Sequence, residues 1–213
     1  MMISELFMTV LQTVFNPEMI NKPLFIEDFV SDSLKYDSVK TLLSRYVKSG
    51  DLKRYSQGIY YVPRKTVLGE SILSFESIIE RKYINDNGRQ FGYYSGNTLL
   101  NLTGLSTQVP NTPEITTNKE SNRNRKVKIG NRYVVLRCSE TEINNDNAPY
   151  LQYLDIFRYS DLQTLKESKD KVIAFFDKQN LSFEKLSSIE QSMPMKIRKA
   201  LRRSGVYDEL AYR

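Results

Sequence analysis

Apolar side chains recur at helical spacing along the first fifty residues. Ile3, Leu6, Phe7, Val10, Leu11 and Val14 fall at steps of three, one, three, one and three, which is one face of an α-helix. Asn16-Pro17 ends it, because proline restricts the residue before it. A second, short helix is predicted over 24–31, with Phe25, Ile26, Phe29 and Val30 apolar and Glu27 and Asp28 in its first turn. The third is the clearest. Asp37 is the expected N-cap and Gly50 the expected C′ residue, and Val39, Leu42, Leu43, Tyr46 and Val47 repeat between them. Two short strands, 52–55 and 59–62, follow around a turn that contains Gly58. Three helices and then a β-hairpin is the order of a winged helix-turn-helix.

The pattern changes after residue 65. A helix is predicted over 67–83, where Leu68, Ile72, Phe75 and Ile79 step by four, three and four. Residues 85–88 form a turn, and Ser95 caps a short helix that ends at Gly104. Strands are expected over 114–118, 126–129 and 133–138, the last two joined by Gly130-Asn131. Helices follow over 150–156, 160–166, 169–178 and 183–189. A final helix starts around 192–194 and ends near Gly205, with Ile197, Ala200, Leu201 and Ser204 as its buried stripe. The expected fold class is therefore α+β. A winged helix-turn-helix domain occupies 1–65, and a mixed α/β domain with a small sheet and terminal helices occupies 66–213.

Charge is sorted along the first domain. Residues 1–35 hold two basic and five acidic side chains, and residues 36–65 hold seven basic and two acidic ones. The cations thus gather on the elements of a winged helix that meet DNA, where phosphate neutralisation supplies non-specific affinity. The candidate DNA-binding residues are Ser38, Lys40, Thr41, Ser44, Arg45 and Lys48 on the third helix, with Lys53, Arg54 and Arg64 on the wing and its exit. No carboxylate interrupts the helix face from Lys40 to Lys48.

Two further basic runs lie in the second domain. Residues 119–137 hold seven cations against Glu120, among them Arg123, Arg125, Lys126 and Lys128. The last helix carries Lys196, Lys199, Arg202 and Arg203 beside its apolar stripe. These residues are either a solubilising surface, helped on the helix by its C-terminal dipole, or a second surface for nucleic acid or a protein partner.

Composition narrows the chemistry. The 213-residue chain carries a net charge of +6, no histidine and one cysteine, Cys138. Histidine triads, histidine metal sites, disulfides within the chain and Cys-rich zinc sites are thereby removed. A single thiol fits a reducing compartment. No run of 18 apolar residues is present, so a cytoplasmic protein with no membrane partner is expected. The glycines do not form a nucleotide-binding fingerprint. Glu140, Glu142, Asp146 and Asp155 are the carboxylates on which a metal-dependent nuclease would rest, but their spacing matches no recognisable site. No catalytic residue, cofactor or metal is predicted.

Several stretches together resemble the AbiEi-type (abortive infection) antitoxins of bacterial type IV toxin–antitoxin systems. They include Phe29 and the run from Leu42 through Arg54, then Gly58-Ile59-Tyr60-Tyr61-Val62-Pro63. The likeness continues through Leu99, Leu102, Gly104-Leu105-Ser106-Thr107-Gln108-Val109-Pro110 and Ile115-Thr116-Thr117-Asn118. It ends in Leu151-Gln152-Tyr153-Leu154-Asp155 and residues 194–201. The Gly104 to Pro110 stretch is the most telling part, since winged helices are shared by many regulators. The resemblance implies an N-terminal domain that binds inverted repeats in its own promoter, and a C-terminal domain that counters a nucleotidyltransferase-like toxin directly or indirectly. The alternative is a stand-alone winged-helix transcriptional regulator with no toxin partner.

Overall fold

In the computed structural model, which describes residues 12, 16–32, 34–67 and 69–213, the helix predicted to stop at Gly50 is Tyr36–Ser49, here α1. The helix predicted over 3–14 lies outside the described residues apart from Gln12. The chain divides into two compact units, Met1–Arg81 with Ile129–Arg132, and Lys82–Lys128 with Tyr133–Arg213.

In the first unit, α1 buries Val39, Leu42, Leu43 and Tyr46 against Leu24, Ile26, Phe29, Leu52 and Tyr60. Each such side chain contributes about 1.5–3 kcal/mol through burial. Gly50 ends α1 at φ +87°, a left-handed conformation that suits glycine, and its N–H meets the carbonyls of Tyr46 and Val47. The start differs from expectation. Lys35 is the N-cap, without a side-chain bond, and Asp37 sits inside the first turn, where its main-chain carbonyl accepts from the Thr41 hydroxyl at 2.8 Å.

The helix predicted over 24–31 is replaced by strand β1, Leu24–Phe25, and a single 3-10 turn, Ile26–Phe29. The reason is pairing: Leu24 and Phe25 lie opposite Tyr60 and Ile59, and burial of both strand residues outweighs the helical spacing. Asp28 closes the turn by accepting the Phe25 N–H at 2.8 Å. Strands β2, Lys53–Ser56, and β3, Ile59–Tyr61, form the wing, and the sheet order is β1-β3-β2.

The helix predicted over 67–83 is shorter than expected. Strands β4, Lys65–Thr66, and β5, Gly69–Glu70, form a second hairpin, in which Gly69 takes φ +112°, closed to a helix. Ile72 is exposed, and only Phe75–Tyr83 is helical, as α2. Ser74 caps it by accepting the Ser77 N–H.

The second unit opens with the hairpin β6, Asn85–Asp86, and β7, Arg89–Gln90, around Asn87 and Gly88, both at positive φ as its tight turn requires. Next come β8, Gly92–Tyr94, and α3, Gly96–Leu102. Strands β9, Glu114–Thr117, β10, Arg125–Ile129, and β11, Arg132–Cys138, match the predicted strands to within a residue or two at each end. The sheet order is β10-β11-β9-β8, with β9 parallel to β11 and antiparallel to β8. A Cβ on Gly92 would lie 2.0 Å from the Tyr83 carbonyl oxygen, so only glycine fits there.

Helices α4, Ala148–Tyr159, α5, Leu162–Glu167, α6, Lys169–Lys178, α7, Phe183–Glu190, and α8, Met195–Arg203, follow the predicted order. A further helix, α9, Val206–Ala211, was not predicted, because Gly205 reads as a terminator when it is in fact the N-cap of the next helix at φ +77°. Tyr153 and Phe157 of α4 are fully buried at the centre of this core, and Tyr153 meets Phe176 edge-on at 5.2 Å. The fold is mixed α+β, as expected, with an N-terminal helix and wing followed by a small sheet and terminal helices.

Candidate nucleic-acid interface and a charged cavity

All six candidate side chains of α1, Ser38, Lys40, Thr41, Ser44, Arg45 and Lys48, are exposed. Five of them, Lys40 to Lys48, line one groove together with Asp37. The apolar residues take the inner face of α1, so positions three and four apart place these polar ones in a row outside. Lys40, Arg45 and Lys48 make no ion pair among the described residues. Asp37 modifies the sequence expectation. The helix starts two residues earlier than an Asp37 cap would allow, so the carboxylate heads the cationic row instead of standing outside it.

The wing residues are placed less uniformly. Lys53 is exposed but held by Glu70 at 2.7 Å, which raises its pKa through the hydrogen bond and the opposite charge. Arg54 Nε donates to the Ser56 carbonyl at 3.3 Å. Arg64 is exposed, and its main-chain N–H donates to Ser71 Oγ at 2.8 Å. Glu70 carried no signal in the sequence, since it follows the predicted domain and pairs only through the β4–β5 turn.

The second unit treats its cations differently. Arg125 is tied to buried Glu120 at 2.7 Å, and Lys126 sits over the Tyr133 ring at 4.5 Å, with Lys128 at 6.0 Å. Arg202 lies 3.3 Å from the fully buried Glu190 and 4.2 Å from the Tyr207 ring, and Arg198 approaches the same carboxylate at 3.5 Å. Lys199 and Arg203 are exposed and unpaired among the described residues.

Arg123 and Lys196, one from each basic run, line a single cavity of about 610 Å³. Its wall also contains Arg137 from the end of β11 and Arg158 from α4. Arg158 Nε donates to Asp155 Oδ1 at 2.9 Å and its Nη1 to Glu140 Oε1 at 3.0 Å. Burial disfavours the Arg158 charge, but the two carboxylates more than offset this and hold its pKa above the usual range. Burial pushes Asp155 up to about 6 despite Arg158, and the Tyr93 hydroxyl donates to the same carboxylate. Burial likewise pushes Tyr159, on the cavity wall, up to about 12.

Arg137 is fixed by a chain of contacts. Its guanidinium donates to Glu114 and Asn124 and lies 5.3 Å from the Tyr159 ring. Glu114 in turn accepts from the main-chain and side-chain nitrogens of Asn97, at the start of α3, at 3.2 and 3.1 Å. Of the four carboxylates considered for a nuclease, Glu140 and Asp155 share Arg158, whereas Glu142 and Asp146 are exposed in the loop before α4. The cavity itself was not legible in the sequence, because residues 93, 123, 137, 158 and 196 meet only through the β8-β9-β11 pairing and the packing of α4 and α8.

Among the described residues no helix is long and apolar enough to cross a membrane. No curated protein and no solved structure matches the chain. Residues 18–147, which take in α1, the wing and the whole four-stranded sheet, match a family model, and the chain accordingly belongs to the family of unknown function DUF6088.

Proposed function

We propose that this protein binds duplex DNA through α1 and the β2–β3 wing, as a transcriptional autorepressor and as the antitoxin of a toxin–antitoxin pair. The observation that carries the DNA-binding part is the outward, unpaired row of Lys40, Arg45 and Lys48 on α1, in the same unit as the wing. The major groove of B-DNA admits one α-helix, and arginine pairs bidentately with guanine O6 and N7. Arg45 is the base-reading candidate, Lys40 and Lys48 contact phosphates on either side of it, and Ser38, Thr41 and Ser44 offer short hydroxyls beside them. Arg54 and Arg64 contact phosphates and orient the domain, as Lys53 does once it leaves Glu70. Asp37, at the head of α1, accepts from a cytosine amino group.

The antitoxin role rests on the resemblance carried by the Gly104 to Pro110 stretch. It brings with it inverted repeats in the promoter, a nucleotidyltransferase-like toxin and a cytoplasmic location. A regulator without a toxin would use the same α1 face, and the gene next to this one separates the two. An adjacent nucleotidyltransferase whose toxicity is relieved by co-expression of this chain supports the antitoxin. A neighbour of another kind leaves the stand-alone regulator.

The DNA-binding part is tested by footprinting the region upstream of the protein's own gene at stated salt. Protected inverted repeats are expected, and Arg45→Ala is expected to weaken the complex by about 1–3 kcal/mol. Binding by Arg45→Ala as tight as wild type removes Arg45 from the interface.

A further inference from the structure

The cavity of the second unit has a charge pattern that the DNA-binding reading does not use. Four cations line it, Arg123, Arg137, Arg158 and Lys196, against two carboxylates, Glu140 and Asp155. Those two carboxylates are both engaged by Arg158. Arg137 is engaged by Glu114, outside the lining. Arg123 and Lys196 make no ion pair among the described residues, although Arg123 is close enough to Glu140 to help hold that carboxylate's pKa down. The wall thus holds a fixed pair of guanidiniums, already oriented by carboxylates, and two cations outside any ion pair.

That arrangement suits a dianion. Guanidinium and ammonium groups gathered on the wall of one cavity are the usual means of holding phosphate, the arginines by paired N–H donors and lysine as a mobile charge. Arg158 spends Nε and Nη1 on its carboxylates and keeps Nη2 without a protein partner among the described residues. The remaining wall is not uniformly polar. Tyr93, Tyr159, Leu151 and Met193 supply ring and aliphatic surface next to the cations. A volume of about 610 Å³ lies within the range of small-ligand sites and exceeds what a bare phosphate needs. We propose that this cavity binds a phosphate monoester carried on a ring, a ligand of mononucleotide size, with Arg123 and Lys196 on the phosphate and Tyr159 against the ring.

Two sources can present that chemistry, a free mononucleotide or the 5′-phosphorylated end of a nucleic acid strand. The test is calorimetry on the full chain with adenosine monophosphate, adenosine, and a short single strand with and without a 5′-phosphate. Adenosine monophosphate is expected to bind more tightly than about 1 mM and adenosine at least about 10-fold more weakly, since it lacks the group the cations hold. If only the phosphorylated strand binds, and its unphosphorylated twin does not, the phosphate comes from a strand end and the assignment of the cavity stands.

Arg123→Ala with Lys196→Ala removes two side chains that make no hydrogen bond or ion pair among the described residues, so folding is expected to survive and affinity to fall at least about 10-fold. Lys126→Ala with Lys199→Ala removes two cations outside the cavity and is expected to leave affinity unchanged. The proposal is overturned if neither phosphorylated ligand binds, if adenosine binds as tightly as its monophosphate, or if the two double variants lose affinity equally.

Discussion

The outer face of α1 in the first unit and the arginines of the second put similar cations to opposite use. On α1, Lys40, Arg45 and Lys48 face outward with no carboxylate holding them, and Asp37 stands at the head of the row. In the second unit, Arg125, Arg137, Arg158, Arg198 and Arg202 each meet a carboxylate, and four of those partners, Glu114, Glu120, Asp155 and Glu190, are buried. A buried carboxylate requires a partner, because desolvation of an unpaired charge is far costlier than the pair is worth. These five arginines are therefore structural, and which of the unit's arginines remain available is decided by which acids the fold buries. On the helix of the first unit, spacing alone decides it.

The largest expected effect breaks the contrast on its first side. Replacing Lys40, Arg45 and Lys48 together by alanine is predicted to weaken duplex binding by at least about 100-fold at roughly physiological salt, with no fall in thermal midpoint, as read by fluorescence anisotropy and melting. The converse variant, Glu190→Gln, leaves Arg198 and Arg202 beside a buried neutral group. It is predicted to cost about 1–3 kcal/mol of stability in urea while duplex affinity stays at the wild-type value.

Asp155 sharpens the contrast through pH. Its folded pKa, about 6, lies above the usual carboxylate value. Stability from this group is full below about pH 4 and is lost as pH rises through about 6, an upper estimate of roughly 2–3 kcal/mol. Asp155→Asn is predicted to remove that loss, so wild type should lose ground to the variant between pH 4 and 7 in urea unfolding. The smallest effect concerns the wing. Glu70→Gln frees Lys53 and is predicted to tighten duplex binding slightly, with no change in melting.

The sequence was most informative where structure is local. The periodicity of Val39, Leu42, Leu43 and Tyr46, with Gly50 behind it, placed α1 and therefore its outer face, and the strands around Gly58 and Gly130 followed from turn chemistry. It failed where partners are distant. Leu24 and Phe25 read as helix because their pairing with Tyr60 and Ile59 is invisible to a local window. Residues 67–72 read as helix because the hydrophobic spacing outweighed the conformation of Gly69. The cavity depends on a parallel pairing of β9 with β11 and on a buried Glu114 held at the start of α3, and no spacing along the chain encodes either.

The central claim is that the outer face of α1, with the wing, meets a duplex. The salt dependence of duplex affinity tests it most directly, because each phosphate contact contributes about 0.9 to the slope of log K against log salt. With Lys40 and Lys48 both changed to alanine, the slope is predicted to fall by roughly 2 relative to wild type. An unchanged slope, with both proteins folded, would contradict the account, since the phosphates would then be neutralised elsewhere on the molecule.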